Sequence, residues 1–257
     1  MFKNKEFLKI LNPPQSFSRT IDRIKNKKAV KGDVILEIKN MNFHYPNKVR
    51  ALNNINLQIY KGDFLGIVGL NGSGKSTLAL NIIGLLSGSG SILLNKEEIS
   101  KKDVYQRTRD IGYVFQNPNY QLFEDNVFKE IAFGPKNLNL NRKEVRERTE
   151  EALDVINLEE FAEEDPHSLS VGQKRRVTIA SVLAMKPKII IIDEPDTGVD
   201  YRNAERLMDY IKELQKKGHT IILISHNLQL VEKYCNRVIY LENGEIKDIK
   251  HFMKKVA

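Results

Sequence analysis

Residues Gly69-Leu70-Asn71-Gly72-Ser73-Gly74-Lys75-Ser76-Thr77 form a glycine-punctuated loop. It is preceded by the apolar run Phe64–Val68, which reads as a buried strand, and followed by Thr77–Ile83, which reads as a helix. A strand that turns into a helix around converging backbone N–H groups makes an anion cradle, because the helix dipole and the unpaired first-turn donors both favour negative charge. Glycines at 69, 72 and 74 let the backbone approach a polyphosphate with no side chain intruding. Lys75 is placed to reach the β- and γ-phosphates, and the Ser76 hydroxyl to ligate Mg²⁺.

Ile189-Ile190-Ile191-Ile192-Asp193-Glu194-Pro195 ends a continuous apolar run in two acids. Such a run suits a strand buried on both faces, and ligands bind at the carboxyl ends of strands in parallel sheets. Asp193 suits the Mg²⁺ shell, since hard cations take oxygen ligands. Glu194 suits the base that activates a water for attack on phosphorus. Ser225-His226-Asn227 ends the next predicted strand, Thr220–Ile224, where an imidazole can meet a γ-phosphate and its water. Phe43-His44-Tyr45-Pro46 precedes the strand over 55–59, and Tyr45 either stacks on a base or packs internally.

The chain has 257 residues and a net charge of +8. Nine Lys/Arg against Glu6, Asp22 and Asp33 make residues 1–33 six positive, leaving +2 for residues 34–257. The basic character therefore belongs to an N-terminal extension, and no nucleic-acid stripe across the domain is expected. Phe7, Ile10 and Leu11 lie at helical spacing before Pro13-Pro14, as either a basic amphipathic helix or a solvated arm. No apolar run approaches the roughly 20 residues that cross a bilayer. The single cysteine, Cys235, excludes an internal disulfide framework and reads as a small core residue.

From Val34 onward strands alternate with helices: strands over 34–38, 55–59, 91–94, 111–115, 189–192 and 220–224, a mostly helical segment over 126–185, and helices near 202–217 and 227–235. Placed on that frame, the motifs resemble the ATP-binding subunit of an ABC transporter across residues 34 to about 247. Gly69–Thr77 is similar to Walker A, Gln116 to the glutamine loop, Leu169-Ser170-Val171-Gly172-Gln173 to the signature motif, and Ile189–Glu194 to Walker B. Thr197–Asp200 is similar to the loop that crosses the dimer interface, His226 to the switch histidine, and Tyr45 to the base-stacking aromatic.

That resemblance implies an α/β fold: a P-loop NTPase core with a mostly parallel sheet, an antiparallel β subdomain and an inserted helical lobe over about 117–183. It implies hydrolysis of ATP with Mg²⁺, with Ser76, Gln116 and Asp193 around the metal and Glu194, His226 and Gln116 acting in catalysis. It implies a head-to-tail dimer in which Ser170, Gly172 and Gln173 of one subunit close on the ATP held by Tyr45, Asn71, Ser73, Lys75 and Thr77 of the other. Val171 departs from the family's usual glycine, and a positive φ at that position would loosen closure.

Phe115-Gln116-Asn117-Pro118-Asn119-Tyr120-Gln121 and Val127–Pro135 are similar to the ATPases of energy-coupling factor (ECF) importers. In that branch two ATPase subunits, identical or paralogous, lie on the cytoplasmic face of the membrane beneath a coupling protein and a substrate-binding protein. They drive uptake of vitamins or of cobalt and nickel ions. Tyr120, Leu122, Phe123, Phe128, Ile131 and Phe133 are the expected membrane-partner surface. The alternatives are another ABC importer or exporter, or a soluble ABC ATPase acting on ribosomes or DNA. The last usually carries two cassettes or a long coiled coil, and neither pattern is present here.

Overall fold

The computed structural model describes residues 32–197 and 201–251. The extension over 1–31, with its expected helix, and Gly198, Val199 and Asp200 of the expected interface loop lie outside the described residues.

In chain order the strands and helices begin with β1 (Val34–His44), β2 (Arg50–Tyr60), β3 (Phe64–Val68), α1 (Lys75–Ile83), β4 (Ser89–Leu94), β5 (Glu97–Glu98), α2 (Val104–Thr108) and β6 (Ile111–Val114). They continue with α3 (Val127–Asn137), α4 (Arg142–Ile156), α5 (Val171–Leu183), β7 (Ile189–Asp193), α6 (Tyr201–Lys216), β8 (Thr220–Ile224), α7 (Leu228–Tyr234), β9 (Arg237–Glu242) and β10 (Glu245–His251).

Two sheets result. The larger has the order β10-β9-β3-β8-β7-β6 and is parallel except for β10 on β9. Every residue of β3, β7 and β8 is buried, which is why these strands read as unbroken apolar runs. The smaller sheet, β2-β1-β4-β5, is antiparallel. In β2, Leu52, Ile55, Leu57 and Ile59 face inward while Asn54, Asn56 and Gln58 face solvent, the period of two expected of a one-sided sheet.

One apolar core holds the two sheets together around α1, through Leu78, Ala79, Ile82 and Ile83. A second lies between the large sheet and α6 and α7. A third, built on α3, α4 and α5, belongs to the helices inserted between β6 and β7. Leu122 (3% exposed) and Ile131 (0%) sit inside this third core, so the expectation that they face a membrane partner is corrected. Tyr120, Phe123 and Phe133 do face solvent, at 79%, 59% and 40% exposure.

Two further readings shift, and that of Cys235 holds. β1 extends to His44, six residues past its expected end. The segment after Cys235 folds as the β9–β10 hairpin, turning at Asn243 (φ 50°) and Gly244 (φ 76°). This is the paired left-handed turn that two-residue hairpins favour. Cys235 is buried at the end of α7, as a core residue.

Candidate nucleotide and metal site

The glycine loop links β3 to α1, and α1 starts without a side-chain cap and with no acid in its first turn. Its first N–H groups are thus left for an anion. Asn71, Gly72 and Ser76 are exposed, whereas Ser73, Gly74, Lys75 and Thr77 are buried. The three glycines do not share one role. Gly72 (φ 79°) faces open space. A Cβ on Gly69 would run into the Leu241 carbonyl of β9, and one on Gly74 would stand 2.5 Å from the Ala51 carbonyl of β2. Two of the three glycines assigned above to phosphate approach are therefore required by what lies beneath the loop. The hairpin turn adds a direct brace: Gly244 N donates to Ser73 O at 3.0 Å.

Lys75 Nζ donates to the loop's own carbonyls, Gly69 O and Leu70 O, both at 3.0 Å. Burial pulls its pKa down, and the charges of Glu194 and Asp193 oppose that. Tyr45 and Thr77 share a hydroxyl–hydroxyl hydrogen bond of 3.0 Å, and Phe43 meets the Tyr45 ring edge-on at 5.0 Å. Tyr45 thus stands at the start of α1 with its ring partly exposed.

Parallel pairing of β7 between β6 and β8 brings three carboxyl ends together. Asp193 Oδ2 accepts from Tyr113 Oη at 2.8 Å. Burial raises the Asp193 carboxyl, with the Tyr113 hydrogen bond and the nearby Ser76 hydroxyl opposing. Asp193 Oδ1 is buried without a hydrogen-bond partner. Glu194 follows in the left-handed region (φ 45°), where a non-glycine residue costs on the order of 1–3 kcal/mol. Its Oε2 accepts from Gln116 Nε2 at 2.8 Å and from Thr197 Oγ1 at 3.1 Å. Its Oε1 lies 3.6 Å from His226 Nδ1. The neighbouring Asp196 and Asn227 serve local structure: Asp196 accepts from Ser225 Oγ at 3.2 Å, and Asn227 caps α7.

The structure thus gathers Lys75, Ser76, Gln116, Asp193, Glu194 and His226 around the loop. It does not bring Ser170, Gly172 and Gln173 there. Ser170 is the N-cap of α5 in a reciprocal capping box with Gln173. These residues line a separate cavity of about 450 Å³ shared with Arg206 and Tyr210. Val171 is the first residue of α5, 53% exposed, and has no positive φ. The strain expected of a valine there is absent. Two contributors escaped the sequence reading. Tyr113 sits inside an apolar strand with no motif around it. Arg175 donates from α5 to Glu194 O at 3.3 Å and also to Thr197 O, with only its place in a Lys-Arg-Arg run to mark it.

The donors fit Mg²⁺. Among the described residues no group of three or more His, Cys, Asp or Glu could cage an ion. A carboxylate oxygen without a partner beside an exposed serine hydroxyl is what an ion needs when substrate phosphates and water complete its shell.

A phosphate loop on a parallel sheet, with an acid pair at the end of the strand two places along that sheet, defines an ATP-binding cassette of the P-loop class. Residues 52–197 match the family model described as ABC transporter. The chain is 43% identical over 217 residues to a putative ABC transporter ATP-binding protein of Caldanaerobacter subterraneus, covering 84% of this chain but 38% of that protein. It is 42% identical over 215 residues to the energy-coupling factor transporter ATP-binding protein EcfA of Methanococcus maripaludis, covering 82% of this chain and 77% of that one. The solved structure of cbiO1 from Clostridium perfringens, part of the ABC transporter complex cbiONQ, superposes with a TM-score of 0.79 at 37% identity, over 85% of this chain and 89% of that one. The chain belongs to the ABC transporter family as an ATP-binding ATPase component.

Proposed function

We propose that this chain is the ATP-hydrolysing subunit of an ECF-type importer, working beneath membrane subunits as a head-to-tail pair of cassettes. The observation that carries the pairing is the separation just described. The loop cluster and the Ser170–Gln173 helix start are not brought together within one chain, yet both are helix N-termini of the kind suited to phosphate. Each site then needs the α5 start of a second copy. The ECF assignment is supported by EcfA and cbiO1 among its relatives. A peripheral position at the cytoplasmic face follows from that role. Among the described residues no helix is long and apolar enough to cross a membrane.

Asn71, Gly72, the backbone of Ser73 and Gly74, Lys75 and Thr77 cradle the triphosphate, and Tyr45 offers its ring to the base. Ser76 and Asp193 would hold Mg²⁺, which would supply positive charge against the phosphates. Glu194 accepts a proton from the attacking water, and His226 orients water and γ-phosphate. Gln116 leaves Glu194 to face the nucleotide, so the residue that starts the helical lobe reports the state of the site. Ser170 and Gly172 of the second copy close over the γ-phosphate. Hydrolysis removes that shared ligand and the pair reopens, a ligand-biased two-state closure. Residues 34–257 form the cassette in this reading, with the helical lobe over about 117–183 as the coupling arm.

The test is reconstitution. The full chain with its membrane partners should show Mg²⁺-dependent ATP hydrolysis stimulated by the membrane complex. Stimulation by ribosomes or DNA instead, with none by the membrane complex, would remove the importer assignment.

A further inference from the structure

We propose that Tyr113 is a positioning residue for the metal: its hydroxyl aims the Asp193 carboxylate so that the free oxygen points to the ion. The inference rests on Asp193 being a Mg²⁺ ligand, as in the function proposed above.

Three observations converge on it. Tyr113 Oη donates to Asp193 Oδ2 at 2.8 Å, and the other oxygen, Oδ1, is buried with no partner. A carboxylate held by one oxygen and bare on the other is an oriented monodentate ligand. The hydroxyl is itself fixed. Tyr113 is 7% exposed, belongs to the core between the sheets, and meets Phe115 edge-on at 4.8 Å. Its strand pairs with β7 in parallel, Tyr113 opposite Ile191, so the ring reaches along the sheet to the strand end where Asp193 sits. Finally, the same β6 runs directly into Gln116, whose amide holds Glu194. The two consecutive acids at the end of β7 are therefore each held by a side chain in, or just past, the same neighbouring strand. Tyr113 takes the metal ligand and Gln116 takes the base.

A donor to the far oxygen of a metal-bound carboxylate fixes its rotamer and keeps it from turning to a competing partner. Loss of such an outer partner costs about 10–100-fold in metal affinity or activity. Phenylalanine keeps the ring and its packing and deletes only the hydroxyl.

The test measures binding of a fluorescent, non-hydrolysable ATP analogue in EDTA and in saturating MgCl₂, for the full chain. The ratio of the two affinities isolates the metal's contribution. For Tyr113→Phe that ratio should fall about 10-fold or more, while the affinity in EDTA stays within about twofold. In Asp193→Asn the ratio should collapse, and adding Tyr113→Phe should change it no further, because the tyrosine acts only through Asp193. Thermal unfolding of each apo variant verifies that folded protein is compared. An unchanged ratio in Tyr113→Phe overturns the proposal while leaving Asp193 as ligand. Equal losses in EDTA and MgCl₂ make Tyr113 merely structural. An additive effect in the double variant shows that it acts by another route. No effect of Asp193→Asn on the ratio removes the metal-ligand reading and this inference with it.

Discussion

Gln116 Nε2 donates to Glu194 Oε2 at 2.8 Å, so in the resting cassette the amide that opens the helical lobe holds the carboxylate assigned to activate water. Thr197 shares that oxygen and His226 stands 3.6 Å from the other. One oxygen of this carboxylate is thus hydrogen-bonded twice, and an imidazole stands near the other. In the function proposed above Gln116 releases Glu194 for hydrolysis, which would tie chemistry to the position of the lobe.

Glu194→Gln should lower the steady-state rate by about 10²–10⁴-fold, the contribution of a positioned general base. ATP affinity should change little, because the Glu194 side chain bonds Gln116 and Thr197 and not the loop. Coupled-enzyme turnover and equilibrium nucleotide binding on the same sample separate the two.

Asp193→Asn should stabilise the apo chain at neutral pH by about 1 kcal/mol while abolishing Mg²⁺-dependent turnover, the trade-off of a functional charge kept in a dry place. Burial raises the Asp193 carboxyl in the fold. The folded state then binds this proton more tightly than the unfolded one. The wild type gains stability from this group as pH falls through the raised value and loses it as pH rises. The advantage of the asparagine variant should accordingly be full at neutral pH and shrink on acidification. Urea unfolding at several pH values reads this directly.

Arg107 is 4% exposed and donates to the carbonyls of Asn81, Ile82, Ser100 and Lys102 at 2.7–3.0 Å. Two of these carbonyls end α1, so a buried cation from α2 caps the phosphate-loop helix at its negative pole. Arg107→Ala should cost about 3 kcal/mol, since it strands several buried acceptors at once. The midpoint of urea unfolding should drop accordingly.

The exposed aromatic patch and the lobe core separate cleanly in mutation. Phe123 and Phe133 meet edge-on at 4.7 Å, with Phe123 59% and Phe133 40% exposed. Phe123→Asp should change stability by no more than about 1 kcal/mol and abolish stimulation by the membrane subunits. Leu122→Asp places a charge in the third core and should unfold the lobe. Retained stimulation in Phe123→Asp would move the membrane contact elsewhere.

The strands that hold the site were legible because full burial leaves an unbroken apolar run, as in Ile189–Ile192, and a strand end followed by charge marks the ligand side. Side chains with a chemical signature, such as Lys75, Asp193, Glu194 and His226, could be placed by type and spacing. What was hidden depends on partners distant in sequence. Gly69 and Gly74 answer to Leu241 and Ala51, which the local pattern does not contain. Tyr113 reads as one more apolar strand residue until β6 is laid beside β7. Leu122 and Ile131 lie in the same aromatic-rich stretch as Phe123, and only the packing of α3, α4 and α5 decides which of them face in. Val171 looked strained only while a positive φ was assumed, and the capping box of Ser170 puts it on a helix instead. The β9–β10 hairpin had a signal in Asn243-Gly244 that the expected α/β alternation overrode.

The shared site is tested most directly by trapping it. Both proposed halves of the site, the loop cluster and the Ser170 helix start, are carried by one chain, so two copies would suffice to build it. Glu194→Gln with saturating Mg²⁺ and ATP, followed by light scattering across a sizing column, should convert the 29.6 kDa chain to a species of twice that mass. Adding Ser170→Ala to the same chain should weaken the trap. A Glu194→Gln protein that binds ATP yet stays at the mass of a single chain at every concentration would contradict a head-to-tail pair of identical copies.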